Sequence, residues 1–431
     1  MNPSAHLQSS STSFAPGLRY PAPDVARGLM LLLIAMANVP VWLLIFPGDP
    51  QMSVADQWWV LIRGLLIDHR IYPLFAMLFG FGLATMVARR QQAHVAKRTA
   101  ELDERMPGMP DQLRAEWLAT FEDEARLDSR RLLRRRGWWM LLFGMVHSFI
   151  FFGDIIGAYA LIAVLFAGVI ASGRKVPMIV WSCVFLLIVL LLGLSQGWAM
   201  QQGFAGTNID TMNYEYFLGW WYPISGLITW AIGSVMTLVG AMVVPSMFFG
   251  VWLAQTDYLT RPDLHRAFLA VVSILGLCGG ALTALLHSLK RAAFAEAEPF
   301  YAYVLQEIGG FLGAVGWLAL LALMAGPARE QLSTWQKVLS AVGRRSMTAY
   351  ISQSVLFATI FLVLGFVGAQ QPSQVMAAGI AVLVWLITVV MCVAMDHAGK
   401  TRGPLEVLLR RAVARSAKPR KLQEIPFAPA V

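Results

Sequence analysis

Only a few side chains able to move a proton or polarise a carbonyl stand in apolar surroundings here. Each merits attention, because an ionisable group in hydrocarbon costs from about 2.5 kcal/mol upward and marks a candidate site by default. His147 lies inside an apolar run, and Asp154 follows seven residues later. If one helix covered both, they would share a face, and the carboxylate would orient the imidazole and raise its basicity. The structural alternative is a hairpin aspartate beside a hydrogen-bonded core histidine. A second concentration is Arg63, Asp68, His69 and Arg70, just before the run that opens at Ile71. His69 is suited to take a proton from an alcohol or an amine, while ordinary interfacial anchoring is the competing reading. Asn38 falls in the outer half of the first apolar run, where an amide must hydrogen-bond a neighbouring helix or a ligand. Glu307 is expected to pair with His287, Lys290 or Arg291, and Asp24 is spaced to bridge Arg27. Ser352, Gln353 and Ser354 read as interhelical hydrogen-bonding groups.

The elements that must hold these residues follow from composition. Of the 431 residues, 57% are hydrophobic and only 14% charged, against roughly 25% charged in a soluble chain. Such a balance requires lipid as solvent. Ten apolar runs are long enough to be spans, at 25–46, 71–88, 137–152, 155–171, 177–197, 224–254, 267–287, 302–325, 347–367 and 376–395. The fold class is therefore an all-α, polytopic helix bundle of about ten transmembrane helices. The run 224–254 exceeds what a bilayer needs and should tilt, or bend near Pro245. The segment 56–68 is too short to cross and reads as an interfacial or re-entrant piece on the outer side. Residues 1–24 form a polar tail without a cleavable signal, 25–395 a membrane domain, and 396–431 a basic cytoplasmic tail.

Charge orients the bundle. The formal net charge is +9, and twelve Lys and Arg fall in the loop 89–136. With that loop inside, both termini are cytoplasmic and all but four of the 34 basic residues (Arg63, Arg70, Lys290 and Arg291) lie on one side, as the positive-inside rule requires. The charge is thereby explained without nucleic acid, which is not expected as a partner. The loop reads as a solvated amphipathic connector, with Asp111 placed to cap a helix running toward Arg136. Its end, Arg130, Arg131, Arg134, Arg135 and Arg136, should attract anionic lipid head groups. Cys183, Cys278 and Cys392 lie in apolar runs without metal-ligand spacing and read as small buried apolar residues. No Gly-rich phosphate loop, GxSxG elbow or HExxH occurs, so no metal and no bound cofactor are expected.

Several segments together resemble the YeiB-type bacterial inner-membrane family, a domain of unknown function. They are Asp24-Val-Ala-Arg-Gly28 with Asn38, Pro73-Leu-Phe-Ala-Met-Leu-Phe-Gly-Phe-Gly82, Gly144-Met-Val-His147 with Gly153-Asp-Ile155 and Tyr159, Gly343-Arg-Arg-Ser-Met-Thr-Ala-Tyr350 with Gln353, and Gly403-Pro-Leu-Glu-Val-Leu-Leu-Arg410. That family is distantly similar to transmembrane acyltransferases, in which a cytosolic acyl donor serves an outward-facing acceptor beside a membrane-embedded His and Asn. The resemblance implies a multi-pass protein of the bacterial inner membrane, with Asn38 and His69 or His147 at the matching positions.

The leading expectation is transfer of an acyl group from a cytosolic donor, acyl-CoA, to an envelope sugar, lipid or glycan. Its catalytic group is His69, His147, Asp154 and Asn38, and Arg27, Arg63, Arg70 and Glu307 are candidates for substrate binding. A transporter or lipid flippase using His147, Asp154 and Glu307 is the alternative, although no internal repeat supports it. A non-catalytic scaffold docking through 89–136 is the third reading.

Overall fold

The computed structural model describes residues 21–46, 51–202, 219–418 and 422–426, and these are overwhelmingly helical. The polar amino end through residue 20, and Arg19 with it, lies outside the described residues. In chain order the helices are α1 (Ala22–Leu43), α2 (Val54–Leu66), α3 (Ile71–Arg105), α4 (Asp111–His147), α5 (Ile156–Leu165), α6 (Ala167–Ser172), α7 (Lys175–Gln201) and α8 (Tyr222–Gly240). They continue with α9 (Val243–Leu253), α10 (Arg266–Arg291), α11 (Ala302–Ala325), α12 (Thr334–Gly343), α13 (Ser346–Phe366), α14 (Gln374–His397) and α15 (Pro404–Arg415).

Among the described residues, eight helical stretches are long and apolar enough to cross a membrane, counting α2 and α3 as one. The two expected runs outside that set are 137–152 and 155–171. The first is the apolar end of α4, which stops at His147, and the second is divided between α5 and α6 at Phe166. Leu187, Leu191, Leu275, Leu282, Phe366 and Val390 stand exposed on the flanks of the bundle, the pattern of a surface facing hydrocarbon. Cys183 and Cys278 are exposed there as well, and only Cys392 is buried as expected.

Long helices extend the bundle on its basic side. The 89–136 connector is a helical hairpin, because α3 continues to Arg105 and α4 starts at Asp111. Asp111 occupies the first turn, where it complements the helix dipole, but makes no capping hydrogen bond, and Pro110 holds the cap position. Small residues let α10 and α11 pack closely and antiparallel, Gly276 opposite Gly316 and Gly280 opposite Gly313. On α9, Gly250 packs onto the Met77 carbonyl of α3, while Gly80 packs onto the Met247 carbonyl.

Two interruptions matter for function. The expected long run 224–254 breaks at Ala241–Met242, before Pro245 rather than at it. Proline is tolerated in a first helical turn, so Pro245 serves as the third residue of α9. The other break, residues 67–70, separates α2 from α3. Leu61, Val60 and Gly64 descend along the end of α10, next to Ala292 and Ser288, so α2 points into the bundle. The turn that follows it lies against α11, the His69 carbonyl beside Gly310 and the Arg70 side chain beside Gly313, eight and eleven residues into that helix, about 12–16 Å from its start at helical rise. The segment expected to be interfacial or re-entrant thus enters the bundle and joins α3 through this break rather than lying on its surface.

Candidate functional site

A helix that stops inside an apolar bundle leaves carbonyls that lose several kcal/mol each if left bare. Here two side chains cover them. Arg70, 1% exposed, donates to Gly64 O at 2.9 Å and to the carbonyls of Asp68 and Gly280, both at 2.5 Å. Trp317 Nε1 donates to Leu66 O at 2.8 Å. The turn passes through His69 at φ +62°, a left-handed conformation in which histidine is enriched among non-glycine residues. This turn aims the imidazole inward.

His69 Nδ1 meets Glu307 Oε1 at 2.5 Å, and the Tyr72 hydroxyl donates to the other oxygen of the same carboxylate. Glu307 is 2% exposed, and Tyr303 hydrogen-bonds it as well, so its carboxyl oxygens are occupied by His69 and the two tyrosines. Tyr303 and His287 stand edge-on to the His69 ring, with centroids at 5.7 Å and 6.4 Å. His287 and Lys290 do not reach Glu307 as expected. They pair with Glu298 at 2.7 Å and 3.5 Å, since Glu298 lies in the loop directly above them. Burial pushes the Glu298 carboxyl up, but the His287 hydrogen bond and the neighbouring Lys290 ammonium hold it below the usual range.

A cavity of about 160 Å³ opens beside the dyad. Asn38 and His69 both line it, with Tyr72, Tyr159 and Tyr350 and an apolar wall that includes Ile34, Ala37 and Phe75. Fixing Nδ1 by Glu307 leaves the second ring nitrogen as the exchangeable one, the arrangement a general base requires.

His147 stands behind the wall. Its Nδ1 meets Asp154 Oδ1 at 2.8 Å, and Asp154 Oδ2 accepts from Gly157 N at 3.0 Å and from Trp230 Nε1 at 3.2 Å. The expected pair forms, though not along one helix: α4 ends at His147 and the chain turns back to present Asp154. His147 does not line the cavity, but its ring packs edge-on to Tyr350 with centroids at 5.3 Å, and its Nε2 has no hydrogen-bond partner.

The three arginines assigned to substrate stand elsewhere. Arg27 bridges Asp24 at 3.3 Å and donates to Leu78 O at 2.9 Å. Arg63 pairs with Asp68 at 3.0 Å and donates to Gln374 Oε1 at 3.2 Å, and Arg70 is engaged by the carbonyls just described. Gln353 donates to Leu31 O at 3.3 Å, the interhelical role its position implied. A larger opening of about 370 Å³ lies at the other end of α10 and α11, between Arg266, Arg329 and Trp335, and contains none of the candidate residues.

Sequence reading missed Trp230, which carries no signal apart from an aromatic type in an apolar run. It also gave no role to the tyrosines of the cavity, although Tyr159 and Tyr350 belong to the segments that carry the family resemblance. Residues 253–416 match the family described as protein of unknown function (DUF418). The DUF418 region supplies Glu307 and Tyr350, whereas Asn38, His69 and His147 come from the preceding half. No curated protein and no solved structure matches the chain.

Proposed function

We propose that this protein is a membrane-embedded acyltransferase whose reaction takes place in the cavity between Asn38 and His69. The supporting observation is the imidazole held at Nδ1 by the buried Glu307 and facing a space shared with an amide. The free nitrogen of His69 takes the proton of an acceptor hydroxyl or amine as its oxygen or nitrogen attacks the acyl carbonyl. The Asn38 amide donates to the oxyanion, and the proton held on His69 passes to the leaving thiolate, which balances the transfer. An engineered cavity of about 150 Å³ holds a benzene molecule, so this one suits a short acyl group better than a fatty chain.

In this reading the spans number ten, the termini and the α3–α4 hairpin face the cytoplasm of a bacterial inner membrane, and acyl-CoA is the donor. The acceptor is an envelope sugar, lipid or glycan. Arg130, Arg131 and Arg134, all exposed, meet anionic lipid with Arg135 and Arg136 beside them. The test is incubation of purified protein with labelled acetyl-CoA and envelope extract. Product from wild type that disappears in His69→Ala supports the assignment, and equal product from both ends it.

One observation favours transport: discontinuous helices often build the substrate sites of transporters. Against it, the carbonyls freed by the α2–α3 break are already covered by Arg70 and Trp317 and offer little to a passing ion.

A further inference from the structure

The hairpin formed by α3 and α4 beyond the apolar bundle holds a short non-helical segment of the same chain. Two buried ionic side chains contact its main chain. Arg98, 7% exposed, donates from Nη2 to Gln423 O at 2.5 Å, and Glu124, 5% exposed, accepts from Gln423 N at 2.9 Å. Arg105 adds a bond to Ile425 O at 3.1 Å. Both ionic groups have their geometry set by the hairpin itself. Arg98 bridges Glu101 at 2.9 Å and Glu124 at 3.4 Å and lies 4.8 Å above the Phe121 ring, and His94 meets Glu124 at 3.2 Å. The Ile425 side chain, 3% exposed, fills a socket walled by Leu102 and Phe121.

The occupant is recognised economically. Its other described side chains, Leu422, Gln423, Glu424 and Pro426, are exposed. Pro426 biases Ile425 toward an extended backbone, which lowers the cost of ordering the segment. The groove thus reads three main-chain atoms and one aliphatic residue before a proline, with charged partners preset on the hairpin.

We propose that this groove is a docking site for extended peptides carrying an aliphatic residue followed by proline, and that residues 422–426 are its resident, exchangeable ligand. The site is separate from the Asn38–His69 cavity and does not depend on the acyl-transfer reading.

The experiment uses the full chain in detergent and a fluorescent, capped pentapeptide with the sequence of residues 422–426. Wild type, whose tethered tail competes at an effective concentration of order millimolar, should bind it about tenfold more weakly than Ile425→Asp, whose tail is evicted. A pentapeptide with Asp in place of the isoleucine should bind neither protein. Hydrogen exchange over residues 95–125 of the Ile425→Asp protein should quicken and then slow when the native peptide is added, which shows that the hairpin itself remains folded. Equal binding to both proteins, or no binding to Ile425→Asp, overturns the proposal.

Discussion

At the scale of single residues, the imidazole–carboxylate pairs make distinct demands. Removing the His69 ring should lower acyl transfer by about 10²–10⁴-fold, the usual worth of a positioned base, and should also lower the melting temperature, because the buried Glu307 carboxylate loses a partner. Asp154, which stands behind the cavity, should affect stability first. Its Oδ2 accepts from two N–H donors, so the amide of Asp154→Asn places a donor against donors in one orientation and against His147 Nδ1 in the other. A loss of roughly 1–3 kcal/mol in stability is expected, read as a lower melting temperature in detergent. The sequence made both histidines legible because an imidazole in an apolar run is conspicuous. It could not show which one faces open space, since that depends on how distant helices meet around Asn38 and Tyr350.

At the scale of elements, the break between α2 and α3 depends on Arg70. Arg70→Met keeps the volume but strips the Arg70 donor from Gly64 O and Asp68 O, while Gly280 O keeps the Thr283 hydroxyl, and a cost of roughly 1–3 kcal/mol for each carbonyl left bare should destabilise the bundle measurably on heating. The hairpin gives a pH-dependent case. Burial pushes the Glu124 carboxyl up, but the Gln423 amide, His94 and Arg98 together hold it below the ordinary 4.5. A depressed carboxylate stabilises above its unfolded value and ceases to do so as pH falls through the folded one. Tail docking should therefore hold at neutral pH and weaken only below about pH 4.5, visible as faster exchange over residues 95–125. The apolar period and the charge pattern marked most helices. They misplaced the interruptions, because a helix stops within a bundle where tertiary groups cover its carbonyls, and Trp317 lies 251 residues from the carbonyl it satisfies.

At the scale of the whole molecule, the class of fold was the most legible feature, since the apolar content of the sequence leaves little choice of solvent. The partition into spans was less so: 155–171 carries enough apolar residues but is divided at Phe166, and the apolar end of α4 continues directly into a water-facing hairpin. The central claim, that the small cavity is where acyl transfer occurs, is tested most directly by filling it without touching an ionisable group. Ala37→Phe projects a ring into the space beside Asn38 and His69. With labelled acetyl-CoA and envelope extract, wild type should yield labelled acceptor and Ala37→Phe almost none, at an unchanged melting temperature. Undiminished product from Ala37→Phe would place the chemistry elsewhere and contradict the account.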